Sequence, residues 1–394
     1  MLQSDDHIIS IAILSYYYPI QGGENLQEQI NIQARKVQKL TALDDSGDNP
    51  SLSQFNDLAP RSPINAYAEL KRRIKQKGLM DQQPIYYTYK IVFTLSLLAV
   101  SLTLLLVAKQ TSLQLLNAVF MAFVFAQIGF IGHDLGHRQI FRTNRLYETS
   151  SFIVANLLLG WSGSWWVDKH NRHHGHPNEP ELDPDIAIPM LAFTEEEAQS
   201  KQGFLRFMVK YQAYLFLPLE LLGWVSFLIS SIGFLLKKKA KHPLTEAFLM
   251  FIHYVLYFSL LFSCLSIWEA VLFFVIHRAL FGLYLGSVAA PNHKGMLVLD
   301  KDSPIDFLHQ QVLSSRNVKA HPLTDFWYGG LNYQIEHHLF PTIPRNKLKE
   351  AQQIVKAFCQ ERSIPYHETS ILQSYREIFL HLHQVSASLR GEKS

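Results

Sequence analysis

Leu113-Gln-Leu-Leu-Asn-Ala-Val-Phe-Met-Ala-Phe-Val-Phe-Ala-Gln-Ile-Gly-Phe-Ile131 runs directly into Gly132-His133-Asp134-Leu135-Gly136-His137. The first stretch is close to the roughly 20 apolar residues that a bilayer demands of a helix. The second places two imidazoles at i and i+4, on one helical face. A membrane span that ends in paired histidines is expected to deliver chemistry to the membrane surface. Two further clusters answer it. His170-Asn171-Arg172-His173-His174 puts three imidazoles at i, i+3 and i+4, and Gln334-Ile335-Glu336-His337-His338 repeats that spacing with Gln334 in the first place. A core has little use for rings this close together, because each carries polar nitrogens that need partners. A transition metal does, since neutral imidazole is a common ligand for iron, zinc and copper.

Working outward, a second run, Tyr87 to Ala108, precedes the first, and only Lys109-Gln-Thr-Ser separates them, so the two form a hairpin with spans of about 87–108 and 112–131. Three apolar runs follow the central box: Tyr214 to Leu236, Ala247 to Ile267 and Ala270 to Ala290. If all three crossed, the later histidines would face the opposite side from the earlier ones. The first holds Pro218, Glu220 and two glycines and ends at Lys237-Lys-Lys-Ala-Lys241, which belongs inside, so it is expected to lie flat or re-enter. The last two (about 247–267 and 269–290) make a second hairpin, turned at Ser266 to Trp268. The expected fold is therefore an all-α integral membrane protein with four transmembrane helices in two hairpins, interfacial helices and a cytoplasmic histidine-rich di-metal domain. Phe152 to Trp166 is too short to cross; its Trp161, Trp165 and Trp166 favour the membrane interface.

The ends are read in the same way. Residues 1–60 are expected to be a flexible arm, and no cleavable signal is expected, because Asp5 and Asp6 precede a run, Ile8 to Tyr18, that is too short to span. Ser62 and Pro63 signal a helix start, and Asn65 to Lys77 an amphipathic helix ending at Gly78, its basic face facing anionic headgroups or water. Residues 61–350 are expected to form the membrane domain and 351–394 a cytoplasmic helical tail, with a helix over 345–363. In 394 residues with mean hydropathy +0.03, the net charge of +3 is too small to suggest nucleic acid as a partner. Two cysteines, Cys264 and Cys359, exclude a disulfide framework and an iron–sulfur site.

Eight of the 18 histidines carry the metal reading. The boxes supply His133, His137, His170, His173, His174, His337 and His338, which are too many for one tetrahedral zinc with an open position and suit two metals. An eighth ligand is expected at the end of the fourth span, where His293 stands. Gln334 is a poor ligand beside imidazole and is expected to act on a neighbouring ring, while Asp134, Glu336 and Asp168 adjoin ligands and can orient their rings. His176, His309, His321, His367, His381 and His383 are left outside the site. His253 and His277 lie within spans, where helix–helix hydrogen bonds explain them. No Glu-x-x-His di-iron motif and no His-Glu-x-x-His zinc motif occurs, and an all-nitrogen donor set favours a redox metal.

These boxes, H-D-L-G-H, H-N-R-H-H and Q-I-E-H-H, resemble those of the membrane fatty acid desaturases, with similarity from about Tyr67 to Gln353. The Gln of the last box, and Gly330-Leu-Asn-Tyr-Gln-Ile-Glu-His-His-Leu-Phe-Pro341 around it, is similar to the front-end type. Pro291-Asn292-His293-Lys294-Gly295 resembles a segment that supplies a further iron-binding histidine in related bacterial enzymes. The resemblance implies two Fe ions, O2 as co-substrate, and removal of two hydrogens from adjacent methylenes of a long-chain acyl-CoA or acyl-lipid to give a cis double bond. Many front-end members carry a fused cytochrome b5 domain with a His-Pro-Gly-Gly motif. The His-Pro pairs here, 176–177 and 321–322, lack the glycines, so an external electron donor of ferredoxin or cytochrome b5 type is expected. The same ligand set leaves open a di-iron hydroxylase or monooxygenase acting on alkanes, lipids or carotenoids. A bis-histidine haem electron carrier would instead need histidines paired across spans, and a metal transporter would need ligands midway through the bilayer.

Overall fold

The computed structural model describes residues 63–299 and 305–392. The expected arm over 1–60 and the Ser62 cap lie outside the described residues. Helix α1 (Pro63–Gln76) buries Ala66, Leu70 and Ile74 and ends at Gly78 in the left-handed conformation, φ +65°. Its basic side is not wholly free, because Arg73 pairs with Glu69 at 2.7 Å and Glu361 at 2.9 Å.

Among the described residues four helices are long and apolar enough to cross a membrane: α2 (Pro84–Val107), α3 (Thr111–Gly136), and the later Pro243–Cys264 and Ile267–His293. The first hairpin is closed by polar side chains that satisfy helix ends where water is scarce. Gln114 Nε2 donates to the carbonyls of Leu104, Leu105 and Ala108 at 3.3, 3.1 and 2.8 Å, and Ser101 Oγ donates to Asn117 Oδ1 at 2.8 Å. Helix α2 buries Tyr87, Thr94, Ser101 and Leu105, which share one face, and turns Val92, Leu95, Val100 and Leu106 outward. Helix α3 continues past Ile131 to Gly136, so His133 is helical and His137 caps the end.

Next come α4 (Asn144–Ser151), a π-helical segment (Phe152–Leu159) and α5 (Gly163–Gly175). The π-helical segment buries Ala155, Asn156 and Leu159, and Trp161 and Trp165 pack on Phe227, Trp161 also stacking on Phe281. The tryptophans are thus core walls rather than the interfacial anchors expected from their type, because a helix pair described next covers them.

Short helices α6 (Glu195–Ser200) and α7 (Gly203–Lys210) lead to α8 (Gln212–Glu220) and α9 (Gly223–Leu236), which are bent by 69° to one another. The apolar run 214–236 is therefore not one straight span. Pro218 sits inside α8, and the bend lies on Gly282, where a Cβ would stand 2.7 Å from the Glu220 carbonyl oxygen. The second hairpin is α10 (Pro243–Cys264) and α11 (Ile267–His293), its turn fixed by a capping box between Ser266 and Glu269. Glu269 also accepts from Thr111 Oγ1 at 2.6 Å, so both hairpin turns meet at one end of the bundle.

The other end is covered by α12 (Phe307–Leu313), β1 (Asn317–Val318), α13 (Pro322–Trp327), α14 (Gln334–Leu339), α15 (Leu348–Glu361), β2 (Glu368–Thr369), α16 (Ile371–Val385) and α17 (Ala387–Arg390). The two strands form a parallel two-residue ladder, the only strand pairing among the described residues. Leu70, Ile74, Leu308, Ile335, Leu339, Val355 and Phe358 make the core of this cap.

Candidate metal centre

Each box is held by an element whose position is fixed from outside. Helix α5 begins at Ser162, whose hydroxyl accepts from Trp165 N. Glu246 of α10 lies against the same helix N-terminus: its carboxylate accepts from Ser162 Oγ at 2.6 Å, Asn156 Nδ2 at 3.2 Å, Ser164 N at 3.3 Å and the Ser164 hydroxyl. A buried carboxylate is favoured there by the helix dipole and by its full set of donors. Helix α14 is buried over its whole length, with Ile335 N donating to Asn317 Oδ1 at 2.9 Å. His133 is fixed by span α3 and His293 by span α11.

These elements bring all eight expected histidines together. The ligating atoms of His133, His137, His170 and His337 lie within 4.8 Å of one another, and so do those of His173, His293 and His338. His174 lies between the two groups, with its Nε2 3.1 Å from His170 Nε2 and its ring stacked on His338 at 4.1 Å. All eight are partly or fully buried.

Hydrogen bonds on the far side of the rings show which way the lone pairs point. His293 Nδ1 faces the Ser314 carbonyl at 3.0 Å, His338 Nδ1 faces Gln311 Oε1 at 2.8 Å, and His173 Nδ1 faces both oxygens of Asp183 at 3.0 Å. An oxygen acceptor requires the proton on Nδ1, so each Nε2 carries a lone pair. Yet His173 Nε2 and His293 Nε2 stand 3.3 Å apart, and His338 Nε2 is buried without a partner. Two lone pairs cannot hydrogen-bond to each other; the Gln334 amide reaches His293 Nε2 at 2.9 Å, but His173 Nε2 has only that ring beside it, and a cation shared by His173, His293 and His338 would resolve the contact. In the other group His133 Nδ1 faces Asp134 at 3.3 Å and its Nε2 faces His337 Nε2 at 3.2 Å. The donor set thus fits two transition-metal ions, one per group.

Burial, followed by the repulsion of neighbouring rings, holds His170, His174, His337 and His338 well below the usual imidazole range, which keeps them neutral at physiological pH and able to bind a metal. Burial pushes the Asp183 carboxyl up, but His173 and Lys294 outweigh it, and the group stays below the usual carboxylate range.

Gln334 bridges Asn292 Nδ2 at 3.1 Å and His293 Nε2 at 2.9 Å, beside the rings as its spacing suggests. Asp134 touches His133 and forms a buried ion pair with Arg345 at 2.6 Å. Glu336 turns away from the rings to accept from Asn317 and Tyr366, and burial pushes its carboxyl up to about 7. Asp168 pairs with Arg172 at 3.2 Å and touches no ring. His176 pairs with Glu179, His309 with Asp306 and His367 with Glu377, all outside the cluster. His253 and His277 make interhelical bonds, to the Leu157 carbonyl at 2.9 Å and Tyr257 at 2.7 Å. Sequence reasoning missed Asp183, Gln311 and Arg345. A search for carboxylates just beyond the box would have found Asp183-Pro184-Asp185; the other two lie far away in sequence.

A narrow cavity of about 30 Å³ opens beside His133 and Trp166 and is lined by Gly129, Gly132, Val154, Leu159 and Trp161. Trp166 stacks on His170 at 4.5 Å.

The fatty acid desaturase family profile matches residues 111–370, which hold all three boxes and His293. The chain is 30% identical to the Delta(6)-fatty-acid desaturase fat-3 of Caenorhabditis elegans, over 82% of this chain and 75% of that one. It is 29% identical to the acyl-lipid (9-3)-desaturase of Physcomitrium patens over 82% of this chain, spanning 63% of the moss protein's length. The Delta(8)-fatty-acid desaturase of Euglena gracilis matches at 29% over 80% of this chain and 78% of that one. Family match, helical membrane architecture and converging imidazoles agree: the chain belongs to the fatty acid desaturase family.

Proposed function

We propose that this protein is a multi-pass membrane desaturase that uses two iron ions, O2 and two external electrons to place a cis double bond in a long-chain acyl group. The observation that supports the proposal is the convergence of ring nitrogens into two buried groups, His133, His137, His170 and His337 in one and His173, His293 and His338 in the other, with His173 Nε2 and His293 Nε2 3.3 Å apart. His133, His137, His170 and His337 would hold one ion and His173, His293 and His338 the other, with His174 between them. Iron bound there supplies the oxidising power for hydrogen abstraction from an unactivated methylene. The two acyl hydrogens, two electrons from the donor and two protons together reduce O2 to two waters.

The chain's own contribution is geometry and exclusion of water. Asp183, Asp134, Gln311 and the Ser314 carbonyl hold Nδ1 protons and aim the lone pairs inward. Trp166 and the glycines of α3 shape a dry apolar entrance beside His133, where an acyl chain can meet the oxidising centre. The relatives' names, an acyl-lipid (9-3)-desaturase and Delta(6)- and Delta(8)-fatty-acid desaturases, support a fatty acyl substrate and front-end placement of the double bond; an acyl-lipid or acyl-CoA would carry it. The charge pattern supports a cytoplasmic face for the imidazoles: the basic residues of α1, Arg138, Arg142 and Lys237 to Lys241 gather near that end, and the two hairpin turns carry only Lys109. Electrons then come from a cytoplasmic ferredoxin or cytochrome b5.

The test is expression in a host lacking the product, with the double bond located by mass spectrometry and iron measured in the purified protein. A new unsaturated acyl chain, two irons per chain and loss of product in His173→Ala are expected. A hydroxylated product, or full activity in His173→Ala, would overturn the proposal.

A further inference from the structure

Outside the imidazole cluster, the most unusual group in the molecule is Arg278, a guanidinium eleven residues into the span α11 and buried to 2% exposure. Its partners among the described residues are neutral. It donates to His253 Nε2 at 2.7 Å and the Leu159 carbonyl at 3.4 Å, and lies over the faces of Phe125, Tyr254 and Tyr257 at 5.4, 5.6 and 5.0 Å. A charge at this depth is costly, and an aliphatic side chain would fill the space without that cost. What the guanidinium adds is direction, and its direction is toward one turn of chain.

That turn, Leu157 to Trp161, is where the π-helical segment stops and its last carbonyls lose their helical partners. Three of them are taken up by the second hairpin: Leu157 O by His253 Nδ1 at 2.9 Å, Leu159 O by Arg278, and Gly160 O by the Tyr254 hydroxyl at 3.2 Å. Because Arg278 donates to His253 Nε2, the proton on His253 must stand on Nδ1, aimed at Leu157. Gly160, at φ +80°, lets the His253 ring come close; a Cβ there would overlap it. The side chains of Leu159 and Trp161 on this turn line the cavity whose other wall holds His133 and Trp166.

We infer that Arg278, His253 and Tyr254 are positioning residues that fix one wall of this cavity, and thereby decide which pair of methylenes stands beside the imidazoles. This inference rests on the desaturase function proposed for the site. The cavity is narrow, so displacement of the turn that walls it by a fraction of a C–C bond changes the register of a chain held there. Near-attack geometry is steep enough for such shifts to alter rates by an order of magnitude or more.

The test uses the full-length chain in the same host, supplied with acyl chains of graded length, comparing Arg278→Gln, Arg278→Lys and Tyr254→Phe with the wild type. Each variant is expected to remain a desaturase while the double bond spreads to a neighbouring position. The minor isomer should rise on the order of tenfold in Arg278→Gln and less in Tyr254→Phe, with chain-length preference relaxed in parallel. Active variants that keep the wild-type isomer ratio and length preference would overturn the inference. If the Arg278 variants fail to accumulate, Tyr254→Phe, which loses one hydroxyl, decides the matter; an unchanged isomer ratio there refutes the inference equally. Absence of any double bond from the wild type would instead refute the proposed function.

Discussion

Replacing Asp183 with asparagine changes one atom and tests the logic of the whole centre. The carboxylate accepts from three donors: His173 Nδ1 at 3.0 Å to both oxygens, Asn178 N at 2.8 Å to Oδ2, and Asp185 N at 2.8 Å to Oδ1. In Asp183→Asn the new NH2 must face one of the two backbone N–H groups, donor against donor. An orphaned buried donor costs about 1–3 kcal/mol. At the same time His173 loses the anion that fixes its tautomer, and partners of this kind are worth about 10–100-fold in metal affinity. At about 1.4 kcal/mol per decade, that is roughly 1.4–2.8 kcal/mol. The assay is iron retention by purified protein against a graded chelator, with thermal unfolding run in parallel. The expected result is a 10–100-fold shift in chelator resistance at one of the two proposed iron sites, with a loss of only a few degrees in unfolding temperature. The Asp183 carboxyl lies below its ordinary range when folded. Its contribution is therefore present above pH ~4 and lost only as pH falls through the folded value, so the ratio of variant to wild type should be flat between about pH 6 and 8. Asp168→Asn, on the box helix itself but paired with Arg172, is the control and should change nothing. Equal chelator resistance in Asp183→Asn and wild type would refute the assignment of His173 lone-pair direction.

Three other outcomes follow from named contacts. Arg345→Met strands Asp134 in a buried site beside His133 and should cost about 3–5 kcal/mol, seen as loss of protein from the membrane fraction; removal of both charges together, in Asp134→Leu with Arg345→Met, should recover part of it. Gly136→Ala places a Cβ into the Trp166 ring, which stacks on His170, so iron content and activity should fall by more than stability does; unchanged iron would show that Trp166 can move freely. Glu246→Gln turns an amide NH2 toward the hydroxyl and N–H donors at the start of the box helix, and should lower unfolding stability by about 1–3 kcal/mol without changing the metal-binding atoms.

The parts of this molecule that the sequence makes plain are those set by local chemistry. A run such as Leu113 to Ile131 has one stable solution in a bilayer, and helical spacing puts His133 and His137 on one face whatever surrounds them. The interruption of 214–236 is also legible, because Pro218 and the lysines at 237–241 are local signals, and the 69° bend between α8 and α9 shows how the chain answers them. The tryptophans mislead for the opposite reason. Trp161 and Trp165 carry the composition of an interfacial belt, but the bent helix pair covers them, and nothing in their own neighbourhood announces that cover.

The illegible residues share one property: they act across long sequence separations on groups that look complete without them. His338 reads as a ligand by itself, yet its Nδ1 proton is fixed by Gln311, 27 positions earlier, and the Asp134 beside His133 is neutralised by Arg345, 211 positions later. A histidine box therefore specifies how many imidazoles arrive but not which nitrogen of each faces inward. That second choice is made by carbonyls, amides and carboxylates from other elements, and it is the one a metal responds to. The lone-pair contact between His173 and His293 is visible only once Asp183 and Ser314 are in place. The function of the site thus lies as much in these partners as in the boxes, which is why the least conspicuous substitution, one carboxylate oxygen exchanged for an amide nitrogen at Asp183, is the sharpest probe of it.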